Sequence, residues 1–399
     1  MAGPLSGFRV IDVSELVSGP LASMILADQG ADVIKVEPPG HGEESRQIAN
    51  YRAGMAALYA NCNHGKRSIG LNLKAAEGLE ILYELVRSAD VFVQNWRPGA
   101  AERLGVGEAE LRQVKPDLVY ASITGYGDDG PYAQRRGYDP IFQALTGYVS
   151  AQTNPAVPIP DLVRNAVVDK ATSHQLAQGI TAALLARERG AGGQHVRVAM
   201  LDAGLSFFWP DGMLRHTLVG DGVENVVVPG ERYQLMETAD GHLVVWMNTS
   251  EQMRDGLRAV GRADLADHAS QRGRVALEEA NQQARAEAMN AGMAALTTSE
   301  AYERLVAHQI PAAPVLSHTE VLQDPQIVHN GDVLESEHPV YGTFRRARPP
   351  VCFSVTRPEP THAPALYGEH TDEILAELGH EPADRDALRK KGVIPVPRS

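Results

Sequence analysis

Cysteine is nearly absent from this chain of 399 residues, with Cys62 and Cys352 as its two thiols. Two such residues cannot build a disulfide framework and have no metal-ligand spacing, which fits a reducing compartment and no metal site. Long apolar runs are also missing: nothing approaches the ~20 consecutive apolar residues that a membrane helix needs. The opening Met-Ala-Gly-Pro-Leu-Ser-Gly lacks the charged-then-apolar order of a signal peptide. The expected location is therefore cytoplasmic, with no membrane partner. Positive charge is in deficit, 37 Lys and Arg against 50 Asp and Glu for a net charge of −13. That balance argues against a nucleic-acid partner, whose binding rests on a broad basic surface. An anionic ligand has to be met by a local cluster of Lys and Arg.

What remains is ordinary for a globular protein, with 43% hydrophobic and 22% charged residues. The length exceeds what one hydrophobic core usually serves, so two domains are expected. Phe8 to Val13 reads as a buried strand, Gly19-Pro20 opens a helix through Leu26, and Ala31 to Glu37 is a second strand. Strand, three-turn helix and strand make a crossover unit of parallel sheet. Glu37 suggests a dinucleotide site, but the first turn has no Gly-x-Gly-x-x-Gly, so that reading is rejected.

Tyr59 to Lys74 crowds Lys66, Arg67 and Lys74 around a short strand, as a solvated edge or as a site for a phosphate-rich ligand. A helix from Ala76 to Ser88 leads to the strand Val91 to Gln94. Asn95-Trp96-Arg97-Pro98-Gly99 then stands at a strand's carboxyl end, where open α/β sheets place ligands, and a short helix carries Arg103. After the strand Leu118 to Thr124, residues 125 to 130 match Gly-x-Gly-x-x-Gly literally. Pro131 follows where a helix should begin, and Asp128 and Asp129 would repel a pyrophosphate. The stretch is read as a glycine-rich active-site loop.

Beyond a proline-dense connection at Pro155 to Pro160, the segment Asn165 to Arg189 sets a carboxylate, Asp169, where an apolar segment runs into a helix. Leu176, Ile180, Ala183, Leu184 and Arg187 recur at helical spacing, and Gly190 stops the helix. Asp169 has two readings: an N-cap for the first-turn N–H groups, or a carboxylate kept ionised by the helix end and used as nucleophile or base. Glycine rises and periodicity fades from about Asp211 to Val228, which reads as a linker. Strands near Tyr233 to Thr238 and His242 to Met247 and helices across Glu251 to Val260, Ala276 to Ala294 and Ser299 to His308 follow. A hairpin-like pair over Val340 to Phe353 and a helix from His370 to Gly379 close the chain.

Taken together, Gly-Ala-Asp-Val-Ile-Lys-Val-Glu (30 to 37), Gly-Lys-Arg-Ser-Ile-Gly-Leu-Asn-Leu-Lys (65 to 74), Asn-Trp-Arg-Pro-Gly (95 to 99), Glu-Arg-Leu-Gly (102 to 105), Ser-Ile-Thr-Gly-Tyr-Gly (122 to 127), Gly-Tyr-Asp (137 to 139), Asp169 with its helix and His-Thr-Asp-Glu-Ile-Leu (370 to 375) resemble the class III CoA-transferases. That family includes formyl-CoA and crotonobetainyl-CoA transferases and the 2-methylacyl-CoA racemases. The resemblance is weakest between about 205 and 335.

The resemblance implies an α/β fold: a large doubly wound, Rossmann-like domain (1–205 plus 335–399), a smaller α+β domain (228–320), linkers at 206–227 and 321–334, and an interlocked homodimer. It implies that Asp169 attacks an acyl-CoA thioester to form an aspartyl anhydride, with no permanently bound cofactor and no metal. Coenzyme A contacts carried over by position fall on Val17, Ser18, Leu71, Asn72, Leu73, Lys74, Asn95, Trp96, Arg97, Arg103, Arg136, Gly137, Tyr138 and Asp139. The partners implied are an acyl-CoA and a small carboxylic acid. Pro38-Pro39 stands where relatives offer an Arg to the adenosine end. In the racemase branch a His precedes the Asp of Gly-His-Asp; here Tyr138 holds that place, and a phenol with a reference pKa of about 10 exchanges protons poorly near neutrality. An inactive CoA-binding partner subunit is the third reading, opposed by the retained Asp169.

Overall fold

A computed structural model of the chain describes residues 3–152, 160–224, 230, 233, 235–267, 275–358 and 362–396, with backbone alone at 267 and 275–282. Its larger compact unit, Met1–Met213 with Asp332–Ser399, is built on six strands. These are β1 (Arg9–Asp12), β2 (Asp32–Glu37), β3 (Lys66–Gly70), β4 (Val91–Gln94), β5 (Val119–Thr124) and β6 (His195–Ala199). All neighbouring pairs are parallel, in the order β3-β2-β1-β4-β5-β6. The direction of winding reverses between β1 and β4, and in such sheets ligands sit at the carboxyl ends of the strands flanking that point.

Near-continuous apolar strands follow from this burial on two faces. Side chains alternate across a strand, so Ile11, Ile34, Phe92 and Tyr120 enter one core while Val10, Val33, Val91, Val93, Val119 and Ala121 enter the other. The first core is closed by Ile81, Leu82 and Leu85 of the helix Ala76–Arg87 and by Ile374 and Leu375 of the helix Thr371–Glu377. The second is closed by α1 (Ser18–Ala27), α2 (Asp139–Leu145), α3 (Val167–Ala186) and α4 (Met200–Gly212). Leu176, Ile180 and Leu184 of α3 recur at helical spacing and are buried. Each such side chain contributes about 1.5–3 kcal/mol of burial. Gly190, with φ of 91°, ends the turn that follows α3, as its position had indicated.

Two sequence expectations shift. The linker expected from 206 begins inside α4, because Leu201 and Phe208 pack on the second core and hold the helix in spite of Pro210. The hairpin expected over Val340 to Phe353 pairs earlier, Val333–His338 with Gly342–Ala347. The turn falls there because Gly342 takes φ of 71° and Tyr341 is buried, its hydroxyl donating to the Pro364 carbonyl at 2.8 Å. The proline-dense connection lies, apart from Pro160, outside the described residues, as do parts of the expected linker and of the Tyr233 to Thr238 strand.

The smaller unit, Leu214–Gly331, has a three-stranded antiparallel sheet in which His242–Val245 lies between Leu235–Glu237 and Ala312–Pro314. Leu243, Leu257, Met289, Met293 and Leu305 form its core. Among the described residues, no helix is long and apolar enough to cross a membrane.

Candidate active site

The loops after β1, β4 and β5 line a cleft of about 320 Å³ at the reversal point of the sheet. Glu15, Leu16 and Ser18 come from the first, Asn95 to Pro98 from the second, Thr124 and Gly125 from the third. The polar loop before α2 adds Arg135, Arg136, Gly137 and Tyr138, and the start of α3 adds Asp169.

The first loop is clamped along its length. Asp12 accepts from the Ser14 N–H at 2.9 Å, the Glu15 N–H donates to Asn95 Oδ1 at 2.9 Å, and Asn95 Nδ2 donates to the Glu15 carbonyl at 2.7 Å. Leu16, held at φ of 67°, donates its N–H to Glu43 at 3.0 Å. A non-glycine residue persists in that region only where its surroundings over-determine it. The loop thereby delivers Ser18, whose side chain lies close enough to the Asp169 carboxylate to lower its pKa and whose carbonyl accepts from Ser173 Oγ at 2.8 Å.

Asp169 is not the N-cap. Helix α3 begins at Val167, which puts Asp169 in the third position of its first turn. The cap comes from Asp139, whose Oδ1 accepts the N–H groups of Val168 at 2.7 Å and of Asp169 at 3.0 Å. Burial, then the nearby Asp139 carboxylate, push the Asp169 pKa up to about 7 against the lowering effect of the Ser18 side chain. Desolvation and like charge therefore act against the helix end, which was expected to keep Asp169 ionised. The Val168 and Asp169 N–H groups are also already engaged, so neither is free to hold an oxyanion.

Of the residues singled out in sequence, Ser18, Asn95, Trp96, Arg97, Arg136, Gly137, Tyr138 and Asp169 meet in this cleft. Tyr138 is 59% exposed. Gly137 is required by packing, since a Cβ there would stand 2.4 Å from Phe142 Cζ. The remaining candidates lie elsewhere. Val17 is the residue before α1. Leu71 is 1% exposed in the first core, Asn72 turns back on the Lys74 N–H at 3.1 Å, and Leu73 packs against that core. These and exposed Lys74 follow β3, two strands removed from β1. Arg103 closes the short helix Ala100–Arg103 and is exposed. Asp139 is buried at the start of α2.

The expected basic patch around β3 is corrected as well. Lys66 points inward to Asp12 at 2.9 Å, and Arg67 is bound to Asp32, Glu373 and Glu377. The cations at the cleft are Arg97, Arg135 and Arg136. Arg135 was legible from its neighbour; the capping by Asp139 was signalled only by Asp-Pro at a helix start.

Arg97 also borders a second polar cleft of about 410 Å³ that contains Ser122 and His195. His195 Nε2 lies 2.8 Å from Ser122 Oγ, which resembles a nucleophile and its base. Arg197 Nε, however, donates to His195 Nδ1 at 3.1 Å. Nε2 then carries the imidazole proton and donates to the serine, so the pair has no base. Among the described residues, no group of three or more His, Cys, Asp or Glu side chains is placed to hold a metal ion.

Comparison with known proteins identifies the family. The family model described as CoA-transferase family III matches residues 5–371. The formyl-CoA:oxalate CoA-transferase of Streptomyces coelicolor is 34% identical over 430 residues, covering 98% of this chain and 100% of that protein. Human succinyl-CoA:glutarate CoA-transferase is 30% identical over 383 residues, covering 94% of this chain and 86% of that protein. Among solved structures, a CAIB/BAIF family protein from Brucella suis superposes with a TM-score of 0.80 at 28% identity, covering 95% of this chain and all of that one. Rv3272 from Mycobacterium tuberculosis does so with a TM-score of 0.79 at 31% identity, covering 94% and 99%. With a parallel sheet, a carboxylate in the cleft at its reversal point and a family match along nearly its whole length, this chain belongs to CoA-transferase family III and is a CoA-transferase.

Proposed function

We propose that the protein moves coenzyme A between carboxylic acids through Asp169. The observation that carries this reading is the division of labour at α3: Asp139 caps the helix, which leaves the Asp169 carboxylate lining the cleft beside Ser18. A carboxylate whose pKa is raised to about 7 is ionised above that pH and more nucleophilic than an ordinary one.

The Asp169 oxygen adds to the thioester carbonyl, the C–S bond breaks, and the thiolate leaves an acyl-aspartyl anhydride. The thiolate then adds to the aspartyl carbonyl and releases the first acid, leaving an aspartyl-CoA thioester. The acceptor carboxylate repeats the two steps in reverse order, which restores Asp169 and yields the new acyl-CoA. Thioester and anhydride are of similar reactivity, so a positioned carboxylate divides the exchange into easy steps. Arg97, Arg135 and Arg136 are the cations that meet the phosphates of the nucleotide, and the glycine-bearing loops at 125 and 137 supply backbone donors to the oxyanions.

The same reading includes a homodimer, a cytoplasmic location and no permanently bound cofactor. Phe207 and Trp209 on α4, 59% and 41% exposed, favour a covered face there. A panel of acyl-CoA donors and free carboxylic acids, read by mass spectrometry, tests the activity. Exchange of CoA between acids with retention of the α-hydrogen is expected. Uptake of deuterium at the α-position without exchange would place the protein among the racemases.

A further inference from the structure

We propose that Asp139, assigned from sequence to coenzyme A, is instead the positioning residue for Asp169: it ties down the first turn of α3 and sets a fixed negative charge beside the attacking carboxylate. This rests on the reading of Asp169 as nucleophile.

The geometry leaves Asp139 nothing to offer a ligand. It is 6% exposed. Oδ1 takes two first-turn N–H groups, and Oδ2 takes Gln143 Nε2 at 2.6 Å. Gln143 in turn donates to the carbonyls of Val163 and Asn165 at 3.1 and 3.2 Å and accepts from the Val163 N–H at 2.9 Å. One turn of α2 therefore fixes both the start of α3 and the strand of chain leading into it. Three hydrogen bonds thus hold the Asp139 carboxylate in place beside the first turn that carries Asp169.

The other groups around Asp169 do not replace it. Helix α1 has no charged residue, and on α4 Asp202 is exposed. The Cys62 thiol, pushed up to about 11 by burial, is neutral. On α3 itself Lys170 turns to Asn165 and His174 is exposed. Glu15, Glu44, Arg97, Arg135, Arg136 and the Tyr138 phenol share the cleft. Asp139 is the one ionisable group among them that contributes to the raised pKa of Asp169. The device gives an anhydride-forming carboxylate two opposed needs at once, a rigid seat and a basic oxygen.

The test is the pH profile of kcat/KM for CoA transfer in the parent, Asp139→Asn and Asp139→Ala. Asn keeps an oxygen for the two N–H groups and removes the charge, so its acid limb moves to lower pH by roughly one unit. Ala removes both functions and loses most of the turnover. An Asn variant that keeps the parent's limb overturns the proposal, and so does one whose change is confined to a raised KM for acyl-CoA. Should the Asn variant not fold, infrared titration of the parent against Asp169→Ala decides: an Asp169 carboxyl titrating near 7 supports the proposal, one in the ordinary carboxylate range overturns it. Turnover by Asp169→Ala would remove the underlying reading instead, which keeps the two failures distinct.

Discussion

The Lys66 ammonium lies 2.9 Å from the Asp12 carboxylate, with both side chains shut off from solvent. Lys35 approaches the same oxygen at 3.5 Å, and Lys66 also donates to the Pro20 carbonyl and Asn63 Oδ1, both at 2.7 Å. Two lysines hold the Asp12 carboxyl well below the usual range despite its burial. The cluster anchors the first turn of α1, and with it the loop that carries Ser18 to Asp169. It belongs to the frame of the site and not to its ligand.

Lys66→Met keeps the length of the side chain and leaves Asp12 a single buried cation. Breaking a buried pair from one side costs about 3–5 kcal/mol, with the remaining Lys35 favouring the low end. Chemical denaturation of the variant reads this loss. Unchanged stability with a raised KM for acyl-CoA would return Lys66 to the ligand.

Arg97→Ala should raise the KM for acyl-CoA roughly tenfold or more, the cost of a charged hydrogen bond to phosphate, with a smaller effect on kcat. Arg103→Ala should do less, because Arg103 does not line the cleft. Calorimetry with coenzyme A checks both. Equal affinity in parent and Arg97→Ala would misplace the nucleotide.

The strands were legible as short apolar runs because two-sided burial writes itself into each of them: Val91 to Gln94 agrees residue for residue. The cleft loops were legible from their place after those strands. What local sequence does not carry is pairing at a distance. Asp139 reaches α3 across 30 residues and Lys66 reaches Asp12 across 54, so a cap at Asp169 stayed open as a reading and a buried lysine was read as edge or ligand charge. The loop after β3 stands two strands from β1, and motif order does not say how far an edge strand stands from the reversal point.

Stability should depend on Asp169 with a definite sign. Its folded pKa, about 7, lies above the ordinary 3.8, so its contribution is fully present below the ordinary value and is lost as pH rises through the folded one. Asp169→Asn should therefore stabilise the protein at pH 8 by roughly 1–3 kcal/mol, discounted for partial exposure, and the gain should vanish near pH 4. Guanidinium unfolding at the two pH values measures it. A variant less stable than the parent at pH 8 contradicts the raised pKa.

The central claim is that Asp169 itself carries the acyl group and then coenzyme A. Asp169→Ala removes no cap, so it should fold like the parent while losing transfer. The direct measurement is to mix the parent with an acyl-CoA it accepts, quench with hydroxylamine, and map the modified peptide by mass spectrometry, with Asp169→Ala alongside. The account predicts a hydroxamate on Asp169 in the parent and none in the variant. Transfer without a trappable Asp169, or a hydroxamate on another carboxylate, contradicts it.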